Sequence, residues 1–345
     1  MSIELDRLQD LLTTASRTFA LNIPMLPSPL AEAVTVGYLL FRNADTIEDA
    51  YQWPKERRTA ELGSFLQVVN QPTDLEGARR FADLYRHEYQ VENVHHVELL
   101  RQTPFLLEQL NGLPEPYQKA VIEHLSRTVQ GMQTWVSMHD QHNALSLSRL
   151  KQLEDYCYTV AGIVGEMLTS LFAIYSPHIN GGQLLHLRTL EVGFATGLQV
   201  TNVIKDAYRD HGEGRHYIPE PFLPLGPQDG VERIWPMMAY AYRRLAEGMA
   251  YTLIIPTEEL GIRRFCLVPI SLAAATLAHL YEHSEALFSG ADVKISRATV
   301  GQLLSEVEDV VGDNDRALYF WERLTGPLIS LTGTGQAAHV SRVLE

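Results

Sequence analysis

The chain has 345 residues, a formal net charge of −14 and 46% hydrophobic residues, a composition typical of soluble globular proteins. Its excess of acidic residues argues against a general nucleic-acid binder, which needs a basic face to displace counterions. The two cysteines, Cys157 and Cys266, lack metal-ligand spacing and predict a reduced, cytoplasmic setting.

Apolar residues recur at three- and four-residue spacing almost throughout the chain and predict helices. No alternating strand pattern stands out, and no linker, repeat or change of composition divides the sequence. We therefore predict an all-α fold in a single domain over 1–345. In chain order, the predicted helices span 3–17, 28–50, 56–70, 76–90, 96–110, 115–139, 146–175, 182–211, 232–253, 258–286, 297–309 and 313–332.

The predicted helix over 28–50 carries an acidic segment, DTIED, in otherwise apolar surroundings. Asp45, Glu48 and Asp49 are three and four residues apart, so they share a helix face with Arg42. Like charges at this spacing disfavour a helix, but a hard divalent cation such as Mg²⁺ turns them into ligands. The alternative is a solvated acidic face, and the segment alone favours that alternative.

The predicted helix over 146–175 is rich in small and apolar residues. We expect it to be packed on all sides, with close approach at Gly162 and Gly165. The longest apolar run, 266–281, is shorter than the ~20 residues that a bilayer span needs. These patterns predict a soluble protein.

The predicted helix over 182–211 carries a second polar line. Its members follow three- and four-residue spacing and are flanked by cations: Gln199, Asn202, Asp206 and Asp210, with Lys205, Arg209 and the loop residue Arg215. Two helices with facing carboxylate rows can hold Mg²⁺ and, with the cations, a diphosphate. The alternative is an exposed helix end, but the coincidence of two such rows argues against it.

Ordered blocks of the sequence carry a resemblance to a known family. The blocks are SRTFA (16–20), FRNADTIED (41–49), YCYTVAGIVG (156–165), LQVTNVIKDAYRD (198–210), GRHYIP (214–219), RFCLVPISLAAATLAHLY (264–281) and VKISRA (293–298). The chain resembles the squalene/phytoene synthase family, the head-to-head prenyl transferases, and the last two blocks resemble its squalene synthases. The resemblance implies an isoprenoid synthase fold, with helices around a central apolar channel.

The resemblance implies a two-step reaction. Two molecules of farnesyl diphosphate condense to presqualene diphosphate, which NADPH reduces to squalene. Mg²⁺ held by Asp45, Glu48, Asp49, Asp206 and Asp210 assists the departure of diphosphate as a Lewis acid. One alternative is a non-reductive member that makes presqualene diphosphate, dehydrosqualene or phytoene. Another is a helical scaffold or lipid carrier without turnover, against which the intact acids argue.

The resemblance also implies roles for single residues. Tyr156 handles a proton in the first half-reaction, and Phe19 and Phe265 line the channel and face a carbocation. The alternatives are a buried tyrosine with a satisfied hydroxyl and ordinary core packing. Diphosphate contacts are expected from Ser16, Arg17, Thr18, Arg42, Gln199, Asn202, Lys205 and Arg215, and contacts to NADPH from Lys294 and Arg297.

Some features depart from the family pattern. Lys205 stands where an arginine is usual, and Arg209 stands where an acid is frequent. The chain ends at SRVLE without the membrane anchor of eukaryotic relatives, so we expect a cytoplasmic enzyme with peripheral contact at the inner membrane face, where the product is released. No GxGxxG motif follows a strand, so no Rossmann domain supplies the NADPH site. His95 and His96 lack HExxH spacing and predict an exposed helix face.

Overall fold

A computed structural model of the chain describes residues 2–87, 94–140, 144–223, 230–287 and 293–332. Within these ranges the chain forms fifteen α-helices joined by turns and short 3₁₀ segments, and no β-strand. One isolated parallel bridge pairs Ser146 with His216. The predicted all-α fold class is confirmed. By packing, the chain divides into two compact units: Met1–Ala144 with Ser170–Tyr175, and Leu145–Thr169 with Ser176–Glu345.

The first unit is built around its third helix. Its helices are α1 Ser2–Ala15, α2 Arg17–Asn22, α3 Leu30–Glu48, α4 Lys55–Asn70, α5 Leu75–Asp83, α6 Val94–Arg101, α7 Thr103–Gly112 and α8 Glu115–Ser137. Helix α3 packs against α1, α4, α6, α7 and α8, and its Leu39, Leu40 and Ala44 are fully buried. Each buried leucine contributes about 1.5–3 kcal/mol through removal of apolar surface from water. This burial holds the acidic end of α3 in a fixed position.

Two predicted helices are each divided in the structure. The helix predicted over 3–17 ends at Ala15, because Ser16 has an extended backbone and its hydroxyl accepts the N–H of Phe19 as the cap of α2. The helix predicted over 96–110 is α6 and α7. Proline at position 104 stands in the first turn of α7, where its missing N–H costs no hydrogen bond.

The second unit contains the longest helix. Its elements are α9 Leu150–Cys157, a π-helical turn Tyr158–Gly162, α10 Ile163–Tyr175, α11 Gly181–Gly212, α12 Trp235–Ile254, α13 Leu260–Glu282, α14 Arg297–Val310 and α15 Asn314–Thr325. Helix α10 belongs to this unit up to Thr169, and its last residues, Ser170–Tyr175, belong to the first unit. Helix α11 starts at a capping box formed by Asn180 and Gln183. It packs along α12, which in turn packs on α13. The second acidic segment therefore lies at the end of a well-supported helix.

Small residues allow the helices of the second unit to approach closely. A Cβ atom at Gly165 would lie 2.2 Å from the carbonyl oxygen of Glu191, and one at Gly197 would lie 2.8 Å from the backbone nitrogen of Leu245. At Gly162 a Cβ would lie 3.3 Å from Cγ1 of Val192 on α11. The close approach predicted at Gly162 and Gly165 is confirmed.

A buried arginine connects several segments of the second unit. Arg263 of α13 is fully buried and donates to the carbonyls of Val311 at 2.6 Å, Ile255 at 2.7 Å and Thr252 at 3.2 Å. It also donates to the side-chain oxygen of Asn314 at 2.7 Å. Burial lowers the pKa of Arg263. All four acceptors are neutral, and three of them lie at the C-terminal ends of α12 and α14, where the helix dipole is negative.

Two helical stretches, Leu150–Tyr175 and Leu260–Glu282, are long and apolar enough to cross a membrane by length and composition alone. The second contains the apolar run over 266–281, and the helix extends beyond that run at both ends. More than half of each apolar window is buried inside the fold, 56% and 67%, as in the core helices of soluble proteins. Solubility stays a prediction.

Candidate active site

The first acidic segment forms the end of α3. Glu48 is the last helical residue, but the N–H of Asp49 still bonds to the Asp45 carbonyl at 2.8 Å. Asp49 is exposed and the Asp45 side chain is 33% exposed, whereas Glu48 is only 3% exposed. Glu48 is therefore the least accessible of the three acids, and its role as a metal ligand stays a prediction. Glu48 lies about 60° to one side of Asp45 around the helix, and Asp49 lies about 40° to the other.

Arg42 is the cation of this first segment. Its guanidinium pairs with the Asp45 carboxylate and donates to the Tyr38 hydroxyl at 3.2 Å. The carboxylate of Asp45 raises the pKa of Arg42. The ring of Phe19 packs against that of Tyr38 with centroids 5.0 Å apart. Tyr38 thus joins the N-terminal motif to the first acidic segment, a contact that the sequence did not predict.

The N-terminal motif is placed only in part. The Ser16 hydroxyl accepts the Phe19 N–H at 3.2 Å, and Thr18 is exposed. Arg17 begins α2, but its side chain lies outside the described residues. The diphosphate contacts expected from these residues stay predictions.

A buried arginine fixes the end of α3. Arg58 of α4 is fully buried, donates to the Glu48 carbonyl, and lies 2.9 Å from Nδ1 of His139. Its guanidinium also stands over the Tyr51 ring, 4.9 Å from the centroid. Sequence reasoning missed Arg58, because the charged stretch KERR is typical of a solvated helix face. Only its long-range partners distinguish it.

The second acidic segment occupies the last turns of α11. Asp206 lies 3.5 Å from Lys205 and 3.3 Å from Arg209, and its side chain is 26% exposed. Lys205 also donates to the side-chain oxygen of Asn202 at 3.1 Å. Arg209, which departs from the family pattern, is therefore an ionic partner of this segment.

Asp210 is the more buried carboxylate of the second segment, with 11% of its side chain exposed. Burial raises the pKa of Asp210, and a hydrogen bond from Arg215 at 2.6 Å opposes that rise. Arg215 reaches Asp210 from the loop after α11. In this loop Gly214 adopts a φ of +79°, a backbone conformation that residues other than glycine rarely adopt. Glu213 pairs with Arg215 as well.

The same loop carries an aromatic residue onto Tyr156. The rings of Tyr156 and Tyr217 are stacked, with centroids 5.1 Å apart and planes inclined by 25°. Backbone bonds fix the loop, since His216 accepts from Leu147 at 2.9 Å and donates to Leu145 at 3.0 Å. The structure thus places Tyr156 against the loop that supplies Arg215. Sequence reasoning missed Tyr217, although it lies within the quoted block GRHYIP.

Other predicted residues of the second unit lie on its long helices. Gln199 is half-buried and Asn202 is exposed, less than one turn apart on α11. Phe265 is 2% exposed in α13, which fits both core packing and a channel wall. The roles implied for these three residues stay predictions.

The residues predicted to bind NADPH lie at the beginning of α14. Lys294 and Arg297 are exposed, and Ser296 caps the helix by accepting the Thr299 N–H at 3.0 Å. Exposed cations beside a helix N-terminus form a donor set that fits phosphate. The side chains of His95 and His96 lie outside the described residues.

The donor sets of both acidic segments fit a hard divalent cation. Every candidate ligand is a carboxylate oxygen, the type that Mg²⁺ prefers. Asp45 and Asp206 keep 33% and 26% of their side chains exposed, so each can offer an oxygen to an ion. A basic side chain of the same helix neutralises each of them, and such cations also donate to phosphate oxygens.

Comparison with solved structures defines the class of the fold. A ligand complex of TcSQS matches with a TM-score of 0.79 over 99% of this chain and 96% of that chain, at 21% sequence identity. Squalene synthase HpnC from Alicyclobacillus acidocaldarius matches with a TM-score of 0.54 over 82% of this chain and 94% of that chain, at 19% identity. The chain has the isoprenoid synthase fold, as the sequence predicted.

Sequence comparison defines the family. The model of the family described as squalene/phytoene synthase matches residues 12–299, and the chain belongs to that family. It is 26% identical over 310 residues to the squalene synthase of Schizosaccharomyces pombe, covering 86% of this chain and 64% of that protein. It is 26% identical over 307 residues to that of Saccharomyces cerevisiae, covering 86% and 65%. The chain spans less than two thirds of the length of these relatives.

Proposed function

We propose that the chain is a Mg²⁺-dependent squalene synthase. Two farnesyl diphosphates condense to presqualene diphosphate with loss of one diphosphate and one proton. Presqualene diphosphate then loses its own diphosphate and accepts a hydride from NADPH, which gives squalene, NADP⁺ and a second diphosphate. The observation that supports the proposal is the pair of acidic helix ends, each with its own cations, in a chain of this family. The squalene synthase relatives favour this product over others.

Arginine side chains neutralise the acids while no diphosphate is bound. Arg42 pairs with Asp45, and Arg215 pairs with Asp210. Mg²⁺, when bound by these carboxylates, provides Lewis-acid assistance to the departing diphosphate. The guanidinium groups of Arg42 and Arg215 would also donate to phosphate oxygens and so would stabilise the leaving group as its charge develops.

We propose that Tyr156 moves the proton that the first condensation releases. Its ring is buried against Tyr217, whose loop also supplies Arg215. In the proposal its hydroxyl accepts the proton from carbon while giving its own proton to a diphosphate oxygen. Phe19 and Phe265 offer aromatic faces that stabilise cationic carbon without reacting with it. Apolar surroundings keep away water, which would trap such cations.

Product analysis tests the proposed reaction. The purified chain is incubated with farnesyl diphosphate and Mg²⁺, with and without NADPH, and hexane extracts are analysed together with the remaining diphosphates. Squalene that forms only with NADPH supports the proposal. The same products under both conditions, presqualene diphosphate or dehydrosqualene, would identify a non-reductive member. Conversion of the C20 homologue of farnesyl diphosphate to phytoene would also indicate a non-reductive member. If neither diphosphate is converted, the result favours a carrier without turnover.

Paired substitutions test whether both acidic segments serve the same diphosphate. Asp45→Asn and Asp206→Asn each should lower kcat by about 10²-fold or more, because each removes a ligand charge. Residues that act on one group are not additive, so the double variant should lose little beyond either single variant. Asp83→Asn is the matched control, because Asp83 pairs with Arg86 three residues away, as Asp45 does with Arg42. Full additivity in the double variant would reject a shared role.

A further inference from the structure

The C-terminal end of α13 carries a cluster of metal-ligand side chains that prenyl transfer does not use. His279, Glu282 and His283 form the sequence H-L-Y-E-H. One ligand atom from each residue lies within 4.8 Å of the other two. The two imidazole rings have centroids 4.3 Å apart and planes inclined by 45°. We infer that this cluster is a binding site for a divalent transition-metal ion of the Zn²⁺ type.

The hydrogen bonding of His283 prepares it as a ligand. Its Nδ1 lies 2.9 Å from the backbone carbonyl oxygen of His279, which can only accept. Nδ1 therefore carries the hydrogen, and Nε2 keeps its lone pair for a metal ion. A ring hydrogen bond to a backbone carbonyl is the usual way in which metal-binding histidines are oriented. The N–H of His283 bonds to the same carbonyl at 3.1 Å, so the backbone at the ligand is fixed too.

The surroundings of the cluster favour a cation on a rigid element. The last turn of a helix presents carbonyl oxygens with partial negative charge, and Glu282 adds a carboxylate. Tyr281 points to another side of the helix, where it packs edge-on against Trp235 at 5.6 Å and bonds to the Ser330 hydroxyl at 2.9 Å. These contacts hold the end of α13, so the ligands do not have to be ordered by the ion alone.

The donor set distinguishes the ion from the Mg²⁺ of the proposed reaction. Two imidazole nitrogens and one carboxylate oxygen suit Zn²⁺, Co²⁺, Ni²⁺ or Cu²⁺, whereas Mg²⁺ prefers six oxygen ligands. Bonds to zinc of about 2.1 Å require the ligand atoms to approach to roughly 3.4 Å, which small side-chain rotations provide. Three protein ligands leave at least one position for water or an external ligand, as in catalytic rather than structural zinc sites.

The site is remote from the aromatic residue that α13 contributes to the proposed reaction. His279 lies fourteen residues beyond Phe265, which is roughly 21 Å along a helix. The inference therefore stands independently of the proposed function. Loss of the ion should leave prenyl transfer with Mg²⁺ unchanged, whereas loss of Asp45 or Asp206 should leave metal binding at α13 unchanged.

Calorimetric titration of the full chain, freed of any affinity tag, tests the inference. We expect one equivalent of Zn²⁺ or Ni²⁺ to bind at neutral pH in the presence of millimolar Mg²⁺. His279→Ala and His283→Ala each should weaken binding at least tenfold, and Glu282→Gln should weaken it less. The matched control is His186→Ala, an exposed histidine on α11, which should not change the affinity. Circular dichroism confirms that each variant is folded.

The titrations of the variants distinguish metal binding at the α13 cluster from metal binding at other histidines. A second histidine pair lies in the second unit, where the Nδ1 atoms of His211 and His216 are 3.0 Å apart. Zinc binding that survives in the H279A/H283A double variant and is lost in His211→Ala would overturn the inference. So would a wild-type chain that takes up no equivalent of Zn²⁺ or Ni²⁺. The visible spectrum of the Co²⁺ form gives a further readout, and it should change on substitution at His279 or His283.

Discussion

Substitution of Arg263 by methionine measures how much the second unit depends on one buried guanidinium. Methionine keeps most of the apolar stem but leaves the oxygens of Thr252, Ile255, Val311 and Asn314 without their donor. Each buried acceptor left unsatisfied costs about 1–3 kcal/mol. Removing a buried charge returns part of that cost, so we expect a net loss of about 3–5 kcal/mol in the free energy of unfolding.

The neighbouring Arg264 provides a matched control for this prediction. It pairs with Glu308 at 2.6 Å on the surface, with 24% and 50% of the two side chains exposed. Such pairs contribute about 0–1 kcal/mol, so Arg264→Met should be nearly neutral. Urea unfolding followed by tryptophan fluorescence and circular dichroism compares the two variants with the parent chain. If Arg263→Met costs no more than Arg264→Met, the guanidinium does not hold these carbonyls.

Arg215→Gln should move the acid limb of the pH–rate profile to higher pH. Burial raises the pKa of Asp210, and Arg215 opposes that rise. Without Arg215, a larger fraction of Asp210 is therefore protonated at a given pH. If the acid limb stays at the same pH in the variant, the protonation of Asp210 does not control the rate. Lys294→Ala should raise the KM for NADPH several-fold, and single-turnover assays should show an unchanged rate of presqualene diphosphate formation. An equal loss of rate in condensation and in reduction would contradict the role of Lys294 in NADPH binding. Tyr156→Phe keeps the stacking on Tyr217 but removes the hydroxyl, so presqualene diphosphate formation should fall by about 10²–10⁴-fold with an unchanged Tm. A fall in Tm without a loss of rate would make that hydroxyl structural.

Hydrophobic periodicity predicted most of the helices because burial of one face sets their spacing. The helix predicted over 182–211 is observed as Gly181–Gly212, almost residue for residue. Periodicity failed where a local cap decided the outcome. The cap formed by Ser16 ends one predicted helix, and a new helix with Pro104 in its first turn starts inside another continuous apolar pattern. Neither event changes the hydrophobic pattern, so the pattern could not reveal it.

The acidic segments could be found from spacing, but the solvation of each acid could not. Asp45 and Glu48 share a helix face in the sequence, yet Glu48 is only 3% exposed while the side chain of Asp45 is 33% exposed. The buried arginines Arg58 and Arg263 were missed for the same reason, since partners far away in the sequence decide whether a charged residue is internal. The residues His279, Glu282 and His283 at the end of α13 have the order HxxEH, which the HExxH pattern does not detect.

The π-helical turn Tyr158–Gly162 has a consequence for how the chain tolerates changes in length. A π turn contains one residue more than an α-helical turn, so it amounts to a single insertion taken up as a bulge. Deleting one residue there would give a regular helix and leave both flanking faces pointing as before. The same deletion in the middle of α11 would rotate every later side chain by about 100° around the helix axis, including those of Asp206 and Asp210. Along this buried stretch, the bulge marks the position where one codon can be lost while the register of the helix is kept.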